Sequence, residues 1–513
     1  MLDATPLLRL YARWRRARLA RLEPAPTQQA QLRGLLARAR GPRFGRDHGF
    51  AAIRTIEDFR AAVPLRRYED FWSEYWKDAF PVLENLTWPG RVPHFALTSG
   101  TTSGTSKNIP VTAGTLAGNR RAVLDMLCFH LQHHPESRVL GGRNFMLGGS
   151  TALRELTPGV DGGDMSGLAA RDVPAWARPY YFPPPGIAAI ADWEEKTARL
   201  AALSRDEDIR VIGGTASWLL LYLQRLVPPG DGASPLRSLH PNLELVVYGG
   251  VNFAPYREGF EALVGEAPIN LREVYPASEG FIAVADRGVG EGLRLMLDND
   301  LFYEFVPVEE LASARPTRHW IGDAQTGVNY ALVLSNAAGM WAYVLGDTVR
   351  LIERDPPRLL ITGRTATSLS AFGEHLIEEE LVTAVTRAAE TIGKTVVDFS
   401  VGAHHGRDGD ANRHVLVVEF AGERPDGAAM ERFLAQVDGT LAELNHDYAE
   451  YRENSVRIAP PEGIAARSGA FEKWMRARGR LGGQNKVPRV LTDPQLLDSL
   501  RRTAQEGETT DNR

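Results

Sequence analysis

The most informative stretch of this sequence reads Leu97-Thr98-Ser99-Gly100-Thr101-Thr102-Ser103-Gly104-Thr105-Ser106-Lys107-Asn108-Ile109-Pro110. It follows an apolar run and holds nine Ser, Thr or Gly residues in succession before a lysine. Glycines let backbone amides approach a polyphosphate, hydroxyls donate hydrogen bonds to it, and a lysine adds a point charge. The mononucleotide-binding Gly-x4-Gly-Lys-Ser/Thr pattern is absent, because Lys107 comes three residues after Gly104. The stretch therefore predicts a phosphate-binding loop, with a flexible Ser/Gly linker as the alternative.

Composition narrows the class of protein around this loop. The chain has 513 residues, 43% of them hydrophobic, and its 59 Lys+Arg against 64 Asp+Glu give a net charge of -5. Such a mixed charge provides no global field for nucleic acid, so we expect no nucleic-acid partner. The single cysteine, Cys128, excludes an intramolecular disulfide and a multi-cysteine zinc site. No apolar run approaches the length of about 18 residues that a membrane span needs, and a cytoplasmic location is the simplest prediction.

The N-terminal stretch from Leu7 to Leu22 is apolar but interrupted by arginines, namely Arg9, Arg13, Arg15, Arg16, Arg18 and Arg21. It therefore lacks the uninterrupted apolar core of a signal peptide. A solvated amphipathic helix packed on the main domain is the favoured interpretation. A helix that touches a membrane surface or an acidic partner is the alternative.

Short apolar runs alternate with helical patterns from about residue 90 to residue 365, which predicts an α/β fold. The predicted strands include Ile209–Ile212 and Leu243–Val247, and the predicted helices include Trp193–Leu203 and Ser217–Leu226. Beyond residue 365 a helix, a β-branched run, a strand and another helix follow one another. That arrangement predicts a separate small α+β domain.

The Ser/Thr/Gly loop resembles the phosphate loop of the acyl-adenylate-forming (firefly luciferase-like) superfamily. Ser103 is an extra residue before the second glycine, and Ser106 stands where that superfamily usually has proline. This variant, followed by Asn108-Ile109-Pro110-Val111-Thr112, is similar to the plant auxin-responsive (Gretchen Hagen three) acyl acid amido synthetase family and its bacterial relatives. The hinge aspartate and lysine of the wider superfamily would fall on Thr367 and Ser370, so both are absent from this chain. Their absence favours the amido synthetase branch over typical coenzyme A ligases.

Further segments match the family's motifs in the expected order, although each one alone could be an ordinary turn or loop. They are Tyr248-Gly249-Gly250-Val251-Asn252-Phe253-Ala254-Pro255-Tyr256, Glu273-Val274-Tyr275-Pro276-Ala277-Ser278-Glu279-Gly280, Tyr343-Val344-Leu345-Gly346-Asp347, Ile361-Thr362-Gly363-Arg364 and Gln484-Asn485-Lys486-Val487-Pro488-Arg489. Val344 replaces an arginine of the family motif, so that arginine's contact is not carried over.

The resemblance implies a role for each motif residue. The loop residues Thr98, Ser99, Gly100, Thr101, Thr102, Ser103, Gly104 and Lys107 would hold the phosphates of ATP. The nucleotide would be surrounded by Gly249, Gly250, Val251, Tyr275, Ala277 and Ser278. Tyr275 would stack on adenine, and Ser278 would contact a phosphate. Glu279 would bind Mg²⁺ and act in catalysis, Asp347 and Arg364 would position the ribose, and Lys486 would stabilise the adenylation transition state.

The implied domains are residues 1–365, which bind ATP and the acyl substrate, a hinge at 366–373, and a small mobile lid at 374–513. The implied reaction uses ATP and Mg²⁺ to join a carboxylic acid to an amine, typically that of an amino acid, through an acyl-adenylate. An acyl-coenzyme A ligase and a non-catalytic nucleotide-binding homologue are the alternatives. A further alternative is a non-enzymatic protein that acts only through its basic N-terminal helix.

Overall fold

The computed structural model describes residues 2–98, 107–227, 234–365, 369, 376–405, 411–452, 458–481 and 485–505. The chain forms two compact units, Met1–Gly250 with Leu263–Ile361, and Val251–Ala262 with Thr362–Arg513. The second unit thus takes a short segment from the middle of the sequence as well as the C-terminal part. The hinge predicted at 366–373 falls almost wholly outside the described residues, and the predicted domain limits stay a prediction.

Two sheets form the frame of the first unit. The strands are β1 (His94–Thr98), β2 (Lys107–Val111), β3 (Arg143–Leu147), β4 (Arg154–Thr157), β5 (Val160–Gly163), β6 (Tyr181–Phe182), β7 (Ile209–Thr215), β8 (Leu245–Gly249), β9 (Asn270–Ala277), β10 (Gly280–Val284), β11 (Leu293–Leu295), β12 (Leu301–Pro307), β13 (His319–Trp320), β14 (Asn329–Asn336), β15 (Tyr343–Arg354) and β16 (Pro357–Arg364). The 4-stranded sheet has the order β2-β1-β5-β4, and the 12-stranded sheet has the order β13-β12-β14-β15-β16-β11-β10-β9-β8-β7-β3-β6.

The larger sheet is mixed, with one parallel half. Strands β6, β3, β7, β8 and β9 pair in parallel, whereas β9 and β10 pair antiparallel. Every residue of β8 is buried, as expected for a parallel strand that is covered on both faces. Mixed sheets flanked by helices confirm the predicted α/β fold class.

Helices cover both faces of this sheet. The helices that precede β9 in the chain are α1 (Thr5–Leu19), α2 (Pro24–Ala39), α3 (Arg43–Asp47), α4 (Ile56–Ala62), α5 (Tyr68–Phe71), α6 (Ala113–His133), α7 (Met165–Arg171), α8 (Pro185–Ala188), α9 (Trp193–Ser204), α10 (Ala216–Leu226), α11 (Pro235–Leu239) and α12 (Arg257–Val264). Leu8 of α1 and Met126 of α6 share an apolar cluster with Val211 and Val247 of the sheet. None of the helices within the described ranges is long and apolar enough to cross a membrane.

The topology brings several predicted motifs to one edge of the larger sheet. Because β7, β8 and β9 are parallel, their carboxyl ends at Thr215, Gly249 and Ala277 meet at the same edge. The chain then reverses through Ser278 and Glu279 into β10. Ligands of open α/β sheets bind at this edge.

The second unit has its own sheet and core. Its strands are β17 (Val396–His404), β18 (Arg413–Phe420), β19 (Glu462–Ala466) and β20 (Val490–Leu491), in the order β19-β18-β17-β20. Its helices are α13 (Glu378–Thr391), α14 (Gly427–Leu444), α15 (His446–Arg452), α16 (Ala470–Ala477) and α17 (Pro494–Gln505). The apolar faces of α13 and α14 pack on β17 and β18 in one cluster.

A buried arginine fixes the mid-chain segment within the second unit. The Arg489 guanidinium donates to the Tyr256 hydroxyl at 2.6 Å and to the Phe399 carbonyl at 2.8 Å. It also forms an ion pair with Asp398. Thr395 donates to Glu258 at 2.6 Å, a second tie to the same segment. The residues after Gly250 are therefore held by side chains that come more than 130 residues later in the chain.

Candidate active site

The predicted phosphate loop connects two strands that pair with each other. Strands β1 and β2 pair antiparallel, and Thr98 lies directly opposite Lys107. The loop residues Ser99, Gly100, Thr101, Thr102, Ser103 and Gly104 lie outside the described residues. The strands on both sides of this stretch are therefore neighbours in one sheet, and its role as a phosphate loop stays a prediction.

Lys107 is held by two side chains of α5. Its Nζ lies 3.4 Å from the Glu69 carboxylate and 5.2 Å from the centre of the Tyr68 ring. The Tyr68 hydroxyl accepts a hydrogen bond from the Asn108 backbone amide at 2.9 Å. The lysine therefore already has a counter-ion at the base of the loop, and any phosphate must compete with Glu69 for it.

The glycine pair after β8 is required by the backbone. A Cβ on Gly249 would lie 2.3 Å from the Val274 carbonyl oxygen of the neighbouring strand. Gly250 has φ +85°, a left-handed conformation that favours glycine. Val251 follows directly and begins the segment that belongs to the second unit. These contacts explain both glycines without any ligand, so their approach to adenine stays a prediction.

Two motifs that lie far apart in sequence meet at Tyr275 and Asp347. The Tyr275 hydroxyl donates to Asp347 Oδ2 at 2.7 Å, although the residues are 72 positions apart. Tyr275 lies on β9, is buried and belongs to the main apolar cluster of the first unit. The hydrogen bond orients the carboxylate that the resemblance assigns to the ribose.

Glu279 lies in the turn between β9 and β10, and it is buried. Burial raises the pKa of its carboxyl and the nearby Asp347 carboxylate acts in the same direction, whereas a hydrogen bond with Tyr343 and the charge of Lys107 act in the opposite direction. Asn336 donates to the Glu279 carbonyl at 2.8 Å and fixes the turn. We call Lys107, Tyr275, Glu279, Tyr343 and Asp347 the Glu279 cluster.

Tyr343 belongs to the same family motif as Asp347, but the resemblance implies no role for it. It follows Ala342, which has φ +45°, a conformation that costs a non-glycine residue about 1 kcal/mol or more. Arg66 fixes this backbone, because its amide donates to the Ala342 carbonyl at 3.0 Å and its carbonyl accepts from Val344 at 2.8 Å. Positive φ at an alanine carries no sequence signal, so the local geometry that places Tyr343 could not be found from sequence.

Other predicted residues lie outside this cluster or belong to the second unit. Ala277 is half-buried at the end of β9, and Ser278 follows in the turn. Arg364 ends β16 and belongs to the second unit, where a Cβ on the preceding Gly363 would lie 2.8 Å from Glu378 Cβ. Lys486 is exposed in the same unit, three residues before the buried Arg489.

The donor set of the cluster fits a cation that is shared with phosphate. Within the described part of the chain, no group of three His, Cys, Asp or Glu side chains could hold a metal ion. Mg²⁺ normally takes only one or two carboxylates and completes its shell with phosphate oxygens and water. Glu279 beside Asp347, close to a lysine, satisfies that requirement.

Two solved structures have the same fold as this chain. A GH3.15 acyl acid amido synthetase aligns over 94% of both chains with a TM-score of 0.77 at 19% identity. A 2-hydroxyisobutyryl-CoA ligase aligns over 93% of this chain and 91% of its own with a TM-score of 0.59 at 16% identity. The chain therefore shares its fold with these two enzymes.

The chain belongs to the GH3 family. The GH3 family N-terminal, central and C-terminal domains match residues 15–228, 294–364 and 379–495. These matches confirm the resemblance drawn from the motifs.

Three relatives of this chain are plant proteins. The indole-3-acetic acid-amido synthetase GH3.8 of Oryza sativa subsp. indica is 27% identical over 293 residues, which cover 53% of this chain and 47% of the relative. The jasmonoyl-L-amino acid synthetase JAR4 of Nicotiana attenuata is 29% identical over 200 residues, which cover 36% of this chain and 33% of the relative. A probable indole-3-acetic acid-amido synthetase, GH3.12 of Oryza sativa subsp. japonica, is 23% identical and aligned over 91% of both chains. The chain spans about half the length or less of the first two.

Proposed function

We propose that this protein is an ATP-dependent acyl acid amido synthetase. The observation that carries the proposal is the Glu279 cluster, in which three motifs of the family are brought together in the first unit. In the first half-reaction a carboxylate oxygen of the acid attacks the α-phosphorus of ATP and pyrophosphate leaves. In the second half-reaction the amino nitrogen of an amino acid attacks the acyl carbon and loses a proton, and AMP leaves.

Different members of the Glu279 cluster bind different parts of the nucleotide. Lys107, at the base of the loop, provides positive charge for the phosphates, and Glu279 provides a carboxylate for Mg²⁺. The ion, when bound, neutralises the charge of the polyphosphate and of the leaving pyrophosphate. Asp347, oriented by Tyr275, accepts hydrogen bonds from the ribose hydroxyls. Gly249, Gly250, Val251, Ala277 and Ser278 complete the nucleotide site, with Arg364 on the ribose.

Lys486 and the second unit complete the proposal. The Lys486 ammonium stabilises the charge that develops between the carboxylate and the α-phosphate. The C-terminal unit acts as a mobile lid that delivers this lysine. We also propose that the protein works in the cytoplasm, a reducing compartment that fits a chain with a single cysteine, Cys128.

The test is acid-dependent exchange of labelled pyrophosphate into ATP, with a panel of aromatic, fatty and hydroxy acids. Acids that support exchange are then incubated with ATP and either mixed amino acids or coenzyme A, and the products are identified by mass spectrometry. An amide product supports the proposal. A thioester alone would make the protein an acyl-coenzyme A ligase, and ATP binding without exchange for any acid would contradict adenylation of that panel.

The acidity of Glu279 predicts the pH dependence of adenylation. Only the ionised carboxylate holds the cation, and its pKa is raised by burial, so kcat/KM for Mg-ATP falls as the pH drops through that raised pKa. Tyr343→Phe removes a hydrogen bond that lowers this pKa, and the acidic limb therefore moves to higher pH. The pH profiles of pyrophosphate exchange for the wild type and the variant measure the shift. An unchanged limb would assign it to another group.

Replacing Glu69 is expected to strengthen the binding of ATP slightly. Glu69→Gln removes the counter-ion of Lys107 and leaves the lysine available to phosphate. An exposed ion pair contributes at most about 1 kcal/mol, so the KM for ATP falls by no more than about 5-fold. The matched control is Glu74→Gln, because Glu74 is a half-exposed carboxylate that pairs with Arg66 and not with Lys107. A weaker affinity for ATP in Glu69→Gln would mean that Glu69 supports binding.

A further inference from the structure

Helix α1 has two apolar faces, and only one of them packs on the protein. Leu8, Ala12 and Leu19 point into the first unit and are buried. Leu7, Leu10 and Trp14 are 70%, 63% and 56% exposed. Their spacing of three and four residues places them in one stripe, and at about 100° per residue this stripe lies opposite the buried face. We call these three residues and the exposed arginines beside them the outer face of α1.

The helix cannot turn to bury this stripe. Arg15, on the inner face, donates to both oxygens of Asp125 at 2.7 Å. It also donates to both oxygens of Asp298, at 2.7 and 2.8 Å. All three side chains are buried, and breaking such a network would leave uncompensated charges in the interior. The outer face is therefore presented rigidly to its surroundings.

The outer face is also strongly basic. Residues 4–22 contain no Asp or Glu, although the whole chain carries a net charge of -5. Arg13 and Arg18 are exposed on α1, and Arg21 is exposed just after its end. Arg18 Nε lies 3.9 Å from Asp298 Oδ2, and the Arg18 guanidinium lies 5.9 Å from the centre of the Trp14 ring. A partner for this face must accept leucine and tryptophan side chains and supply negative charge next to them.

We propose that the outer face of α1 docks on an anionic lipid surface. Leucine and tryptophan side chains enter the boundary between headgroups and acyl chains, and long arginine side chains reach the phosphates beside them. A second copy of the chain does not fit, because a symmetric contact would place two arginine-rich helices without carboxylates against each other. The proposal does not depend on the enzymatic activity.

Co-sedimentation of the full chain with vesicles tests the proposal. We compare vesicles of phosphatidylcholine alone with vesicles of phosphatidylcholine and phosphatidylglycerol in equal parts. The wild type is expected to bind the anionic vesicles and to lose binding as NaCl is raised. The triple variant Leu7→Ser, Leu10→Ser, Trp14→Ser should bind them at least about tenfold more weakly, because the apolar contribution is lost.

Matched variants separate this effect from a general loss of apolar surface. Trp176→Ser with Leu203→Ser removes two other exposed apolar side chains and should bind like the wild type. Arg13→Ser with Arg21→Ser should lose the preference for phosphatidylglycerol. Since all these side chains are exposed, unfolding temperatures should stay within about a degree of the wild type's.

Three results would overturn the proposal. The first is a wild type that does not sediment with anionic vesicles. The second is a triple variant that sediments as well as the wild type. The third is binding to polyglutamate, or dimerisation seen by light scattering, that depends on the outer face while vesicles are not bound.

Discussion

Replacing Lys486 by alanine is expected to lower acid-dependent pyrophosphate exchange by at least about 100-fold. The lysine is proposed to stabilise charge that appears only while the carboxylate attacks the α-phosphate, so its loss should reduce kcat and leave the KM for ATP nearly unchanged. Lys473→Ala is the matched control, because Lys473 is also an exposed lysine of the second unit. Its exchange rate should equal that of the wild type.

The same variant separates the two half-reactions. Once an acyl-adenylate is supplied ready-made, attack by the amine no longer needs charge stabilisation at the α-phosphate by Lys486. We therefore expect Lys486→Ala to form the amide from synthetic acyl-adenylate at a rate within a few-fold of the wild type's. Equal losses in both assays would show that Lys486 acts through folding or nucleotide release, and an undiminished exchange rate would remove it from the site.

Glu279→Gln is expected to lower pyrophosphate exchange by about 100-fold or more, because a neutral amide cannot replace the carboxylate that holds Mg²⁺ beside the phosphates. The dependence on Mg²⁺ concentration should shift to higher concentrations. Glu266→Gln, an exposed carboxylate of the same unit, should have no effect. An active Glu279→Gln enzyme with unchanged dependence on Mg²⁺ would contradict the proposed metal role.

Glu279→Gln is expected to keep or raise the stability of the protein although it lowers the activity. Because burial raises the pKa of Glu279 in the folded protein, the ionised carboxylate opposes folding at neutral pH. This penalty is absent below the pKa of the unfolded chain and grows as the pH rises through the folded-state value. Glu279→Gln should therefore unfold at an equal or higher temperature than the wild type at pH 7, and the difference should shrink near pH 4. A variant that is both inactive and less stable would indicate a structural role for Glu279.

The parts of the fold that local sequence determines were predicted well. The runs Ile209–Ile212 and Leu243–Val247 became β7 and β8, because consecutive apolar residues between turn signals suit buried parallel strands. The helix predicted at Trp193–Leu203 is α9, with Asp192 as its N-cap. The single cysteine excluded an intramolecular disulfide, and the ordered motifs were enough to identify the family.

The arrangement of the site could not be predicted in the same way. The contact between Tyr275 and Asp347 depends on which strands are neighbours across 72 residues. The pairing of Lys107 with Glu69 depends on how α5 packs beside β2. Both faces of α1 carry leucine and arginine, and the buried face is the one whose Arg15 pairs with Asp125 and Asp298. Periodicity records which residues share a face, but not what covers it.

The hydrogen bond between Tyr256 and Arg489 has a consequence for synthesis of the chain. A ribosome that has made residues 1–365 has already released Val251–Ala262, but the groups that hold this segment, among them Thr395 and Arg489, do not yet exist. The segment must wait for more than 200 further residues before Tyr256 can pair. Dividing this protein into independently expressed halves at residue 365 would therefore leave the first half with an unpacked insertion immediately after Gly250.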